Sequence, residues 1–136
     1  MKRALFLCTG NAARSQMAEA LANHFHGDAI EAVSAGSRPA GFVHPGAIRA
    51  MAEIGIDISG AESKSAARFL EQDFDVVVTV CDSAAQDCPH WPGAKRIEHW
   101  PIEDPSWAPG GEVAQRFRET RDDLARRIDE LVSTVS

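Results

Sequence analysis

Apolar runs of strand length alternate with helical patterns along this chain. That alternation predicts an α/β fold: a four-stranded parallel sheet with helices on both faces. Two further observations support it. Asp75-Val76-Val77-Val78-Thr79-Val80 is β-branched and almost wholly apolar, as a strand covered on both faces requires. The 136 residues, 44% hydrophobic and 25% charged, suit one globular domain over residues 1–136.

In chain order, Arg3 to Leu7 reads as a buried strand. Ser15 to Phe25 reads as a helix with Met17, Ala18, Leu21 and Phe25 on one face, broken at Gly27-Asp28. Ile30 to Ser34 is a second strand, ending at Ala35-Gly36. Pro45 suits the first turn of a second helix, with Ile48, Met51 and Ile54 inward and Gly55 as its stop. Ser65 to Leu70 reads as a short helix, and Lys95 to Glu98 as a weaker strand. The last helix runs from about Glu112 to Val132 on a stripe of Val113, Phe117, Leu124, Ile128 and Leu131. The Pro- and Gly-rich stretch from Trp100 to Gly111 is a long loop, and long loops in compact domains are often functional.

A formal net charge of −6 argues against nucleic-acid binding, which needs a basic face. No apolar run is long enough to span a bilayer, and Met1-Lys2-Arg3 leads straight into a strand too short for a signal peptide. These features imply a cytoplasmic protein without membrane or nucleic-acid partners. Three cysteines in such a protein point to catalytic or transient disulfides rather than structural ones.

The stretch Cys8-Thr9-Gly10-Asn11-Ala12-Ala13-Arg14-Ser15 lies between the first strand and the first helix. A Cys and an Arg separated by five residues can embrace one tetrahedral oxyanion. The amides of residues Thr9 to Ser15 form the cradle, and the following helix turns its positive end to the same point. Arg14 can hold two oxygens at once. The same field favours the thiolate of Cys8, the form that attacks, so the loop reads as a covalent catalytic site. The bland alternatives are a buried Cys and an ordinary Gly-Asn turn. Neither accounts for Cys, Gly, Asn, Arg and Ser arriving together between a strand and a helix.

In a parallel sheet the ligand sits beyond the carboxyl ends of the strands, so Cys8 and Cys81, each directly after a strand, fall at one edge. Three readings of Cys81 and Cys88 stay open on the residues alone. They are inert buried thiols. They bind zinc with His90 and His99, although the spacing is unlike a short Cys-Cys knuckle. Or they form a redox relay with Cys8, the small polar segment between them bending to bring the sulfurs together.

Cys8-x5-Arg14-Ser15, the following Gln16-Met17-Ala18-Glu19, Val78-Thr79-Val80-Cys81 and Cys88-Pro89 together resemble the thioredoxin-coupled arsenate reductases, which share the low-molecular-weight tyrosine phosphatase fold. Ser34-Ala35-Gly36, Gly55-Ile56-Asp57-Ile58-Ser59, Glu98-His99-Trp100, Asp104-Pro105 and Arg118-x-x-Arg121-Asp122 extend the likeness over nearly the whole chain, in order. The resemblance implies a reaction. Cys8 attacks arsenate, Cys81 attacks the Cys8 sulfur as arsenite leaves, Cys88 resolves that disulfide, and thioredoxin reduces the Cys81–Cys88 bond. It implies no metal and no organic cofactor. It also gives roles to Arg14 as oxyanion ligand, Asn11 as brace of the loop, Ser15 as donor to the Cys8 sulfur and Asp104 as general acid. On turn chemistry alone, Asp104 is simply the residue before Pro105.

Departures from the pattern matter too. Ala13 stands where some relatives carry a further cysteine. Pro105-Ser106 replaces the phosphatases' Pro-Tyr, and the chain has no tyrosine. Some arsenate reductases of this type bind potassium near the loop through an acidic residue. The aligned position here is Lys64, whose ammonium would take the ion's place or simply be solvated; a shift of two residues would put Glu62 there. The rival functions are a phosphotyrosine or small-phosphoester phosphatase, an arsenate reductase using glutaredoxin or a small thiol, and a redox or metal sensor. The sensor lacks a basic recognition helix.

Overall fold

A computed structural model describes residues 1–80, 91 and 93–135. The reading of Cys81, Cys88 and His90 falls outside the described residues. Four strands form one parallel sheet in the order β2-β1-β3-β4: β1 is Lys2–Cys8, β2 Ile30–Gly36, β3 Val76–Thr79 and β4 Ile97–His99. The helices are α1 (Arg14–His26), α2 (Pro45–Ala52) and α3 (Val113–Val135).

Alternation along β1 decides which face each residue serves. Ala4, Phe6 and Cys8 join Val76, Val78 and the inner stripes of α1, α2 and α3 in the larger core. Leu5 and Leu7 join Val77, Phe69, Phe74 and Trp91 on the other face. Among the described residues, the helical cover of that second face is the 3-10 turn Ala66–Phe69, capped by Ser65. The sequence predicts a short helix there, and the tighter turn suits its four-residue length.

Two apolar residues predicted to face inward do not. Phe25 is exposed in the last turn of α1, where it meets the edge of the exposed His24 ring instead of the sheet. Ile54 lies beyond the end of α2, on the way to Gly55 at φ +82°, and is also exposed. The last helix keeps its predicted stripe, except that Val113, its first residue, is only half-buried. Arg118 and Arg121 both grip Glu53, and Arg121 also donates to Ala50 O, which fastens α3 to the end of α2.

β1 and β2 run in register to their ends, with Cys8 opposite Gly36. This places β2 directly beneath the loop that leaves β1. A Cβ on Gly36 would lie 2.6 Å from Thr9 O and 2.9 Å from Asn11 N, both backbone atoms that cannot step aside. Gly36→Ala is therefore expected to displace the loop and to destabilise the fold by about 1–3 kcal/mol, the usual cost of overpacking. Urea denaturation reads this directly. An unchanged midpoint would show that the loop yields freely.

Candidate active site

The loop after β1 is held from outside through its carbonyls. Cys8 O, Thr9 O, Gly10 O and Ala12 O accept from the backbone N–H groups of Ser37, Arg38, Ala40 and His44. Ser63 Oγ also donates to Gly10 O, and Gln16 Nε2 to Asn11 O. With the carbonyls turned outward, the peptide units present their N–H groups to the inner side, as an anion cradle requires. Helix α1 begins at Arg14 with no side-chain cap at Ala13 and no acidic residue in its first turn. The positive end of its dipole thus lies at the pocket that Arg14 lines.

Asn11 sits at φ +48°, a left-handed conformation that Asn tolerates better than most residues. Its fully buried side chain organises the loop. Oδ1 accepts from Lys64 N at 2.7 Å and Gln16 Nε2 at 2.9 Å. Nδ2 donates to Ser15 Oγ at 2.8 Å and Ser34 Oγ at 3.0 Å. A backbone N–H can only donate, so Lys64 N fixes which end of the amide is oxygen. Because Ser15 Oγ already accepts from Asn11, its own proton is free for Cys8 Sγ, 2.8 Å away. Asn11 N donates to the same sulfur at 3.2 Å. Ser34 passes its proton on to Glu19 Oε1 at 2.8 Å.

Arg14 is buried to 7% exposure. One guanidinium nitrogen donates to Ile102 O at 2.7 Å, and the other lies 3.6 Å from Asp104 Oδ2. Asp104 Oδ1 accepts from Ser106 N and Ser106 Oγ, capping the 3-10 turn Pro105–Trp107. Asp104 is thus both a turn residue and a wall of the pocket. Cys8, Gly10, Ala12, Ala13, Arg14, His44, Asp104 and Ser106 enclose a volume of about 60 Å3. The long loop from Trp100 to Gly111 contributes the Ile102 carbonyl, Asp104 and Ser106 to this site. Among the described residues, no group of three or more His, Cys, Asp or Glu is placed to hold a metal.

Residues 3–136 match the model of the low molecular weight phosphotyrosine protein phosphatase family. The chain belongs to that family. Within it, the chain is 44% identical over 131 residues to the arsenate reductase of Halalkalibacterium halodurans, covering 95% of this chain and 94% of the relative. It is 36% identical to the glutaredoxin arsenate reductase of Synechocystis, over the full length of both. A solved arsenate reductase in its phosphate-binding state superposes with a TM-score of 0.88 at 36% identity, covering 100% of both chains. A thioredoxin-dependent arsenate reductase of Corynebacterium glutamicum gives 0.78 at 30% identity, covering 99% of this chain and 62% of that one. Among the described residues, no helix is long and apolar enough to cross a membrane.

Of the residues that the sequence singles out, Cys8, Gly10, Ala12, Ala13, Arg14 and Asp104 line one pocket. The structure adds residues that the sequence did not single out for this site. His44 enters the pocket wall, Gly36 makes room for the loop, and Ile102 lends a backbone oxygen. Lys64 takes up the position that the sequence left undecided. Its Nζ donates to Glu62 O at 3.0 Å and lies 3.5 Å from Glu19 Oε1, with the side chain only 13% exposed. It is not a freely solvated lysine. The Glu62 carboxylate instead faces Arg68, whose hydrogen bonds hold it below the usual carboxylate range. The Lys64 ammonium is thus placed to balance the Glu19 carboxylate.

Proposed function

We propose that this chain reduces arsenate to arsenite with three cysteines, and that thioredoxin restores the thiols. The observation that carries the reading is the small pocket in which the Cys8 sulfur, the Arg14 guanidinium and the Asp104 carboxyl share one wall. The family relatives named arsenate reductase support the substrate, and the thioredoxin-dependent neighbour supports the reductant.

Arg14 and the loop amides hold the arsenate oxygens. The Cys8 thiolate attacks arsenic and one oxygen leaves as water, its proton supplied by Asp104. Cys81 then attacks the Cys8 sulfur. The sulfur–arsenic bond breaks, its electron pair stays on arsenic, and arsenite departs from a Cys8–Cys81 disulfide. Cys88 attacks Cys81, freeing the Cys8 thiolate and leaving a Cys81–Cys88 disulfide. A dithiol reductant takes up that last oxidation. Val80, the residue before Cys81, donates its N–H to Leu7 O at 2.7 Å, beside the Cys8 end of β1.

Arsenate-dependent NADPH oxidation with thioredoxin and thioredoxin reductase tests the reading, beside hydrolysis of an aryl phosphate. Sustained NADPH consumption is expected, with glutaredoxin a poorer reductant. Phosphoester turnover without arsenate reduction would overturn the proposal and favour a phosphatase.

The Lys64 geometry gives a second expectation. Kinetics in matched sodium and potassium salts at constant ionic strength should coincide, because the loop's counter-charge is covalently supplied. A several-fold fall in the KM for arsenate specific to potassium would show that an ion site persists.

A further inference from the structure

We propose that His44 is a substrate-binding residue whose ring Nε2–H donates a hydrogen bond to the oxyanion between Cys8 and Arg14. The inference rests on the reading of that pocket as an oxyanion site, and it adds a side chain from outside the loop.

Three contacts fix the imidazole. The His44 backbone N–H donates to Ala12 O at 2.8 Å, tying the residue to the loop. Its Nδ1 accepts from Gly46 N at 2.9 Å, capping α2. Its ring stacks on fully buried Phe117, centroids 4.9 Å apart and planes 29° from parallel. Phe117 reaches this position because residue 46 is glycine: a Cβ there would lie 2.5 Å from the Phe117 ring.

The cap also decides the tautomer. A nitrogen that accepts from a backbone N–H carries no proton, so the proton of the neutral ring is on Nε2. Among the described residues, Nε2 makes no hydrogen bond. His44 nevertheless lines the pocket with Cys8, Arg14, Asp104 and Ser106. A donor locked by stacking and capping needs no reorganisation when an anion arrives, which is what makes such a donor effective.

His44→Asn separates the two roles, since Asn preserves a good N-cap acceptor while removing the ring donor. Inorganic phosphate is the probe, titrated calorimetrically into the reduced protein. The variant is expected to remain folded at the assay temperature but to bind phosphate about tenfold more weakly, the lower range for a lost hydrogen bond to a charged group. Its KM for arsenate should rise by a similar factor with kcat little changed. In the wild type, 15N spectra of the histidine side chains should show His44 protonated at Nε2 and shifting on addition of phosphate. Equal phosphate affinity in the two proteins, or a His44 signal protonated at Nδ1 or unmoved by phosphate, would overturn the proposal. A wild type that binds no phosphate would instead sink the oxyanion reading beneath it. The spectra keep the test decisive even where the variant folds poorly.

Discussion

Cys88→Ser is expected to yield one equivalent of arsenite per protein and then no further turnover. Cys8 and Cys81 are both used before Cys88 acts, so the first reduction proceeds. Without the third thiol the Cys8–Cys81 disulfide has no partner inside the protein, and Cys8 is buried. The residue is 6% exposed, and its sulfur contacts Ser15 Oγ and the Asn11 N–H. An external dithiol reaches such a sulfur slowly, because exchange needs direct attack along the disulfide. Mass spectrometry after protease digestion should find Cys8 linked to Cys81 in stoichiometric amount. Continued thioredoxin-driven turnover by this variant would show that the relay does not pass through Cys88.

Arg14→Lys is expected to lower kcat/KM for arsenate severely although the charge is unchanged. The guanidinium is placed by Ile102 O on one nitrogen and lies beside Asp104 on another. This planar fork meets two oxyanion oxygens in one geometry, which a lysine ammonium cannot reproduce. Loss of one hydrogen bond to a charged group costs about 1.5–3 kcal/mol, roughly ten- to a hundredfold in rate. Initial rates at low arsenate measure it, with a thermal melt to confirm that the variant is folded at the assay temperature. Near-wild-type efficiency would remove Arg14 from the role of oxyanion clamp.

The reactive loop was legible in the sequence because its chemistry is local. Cys8, Arg14 and Ser15 sit within one strand–loop–helix unit, and residue type with spacing carries most of the information. Strand β3 and helix α3 were legible for a related reason, since burial on two faces or along one stripe leaves a periodic trace. Phe25 and Ile54 fit their periodic patterns, but one lies at a helix end away from the core and the other beyond the helix altogether. What holds the loop was hidden. Asn11 is secured by the Lys64 backbone and by Ser34, 53 and 23 residues away. His44 reaches the pocket because the segment after β2 runs along the loop's carbonyls. A sequence shows a histidine before Pro45, at the cap of a helix, but not that it lines a pocket with Cys8 and Arg14. Asp104 was legible as a residue type, whereas its pairing with Arg14 depends on how the loop after β4 folds back.

The central claim is that the pocket around Cys8 passes two electrons from protein thiols to arsenate. The most direct test is a single turnover of the fully reduced wild type with excess arsenate and no reductant. Arsenite is quantified, and the disulfides are mapped by mass spectrometry. One arsenite per chain, a protein lighter by two hydrogens, and a Cys81–Cys88 linkage with Cys8 free are the expected results. A protein that keeps all three thiols and forms no arsenite would contradict the account.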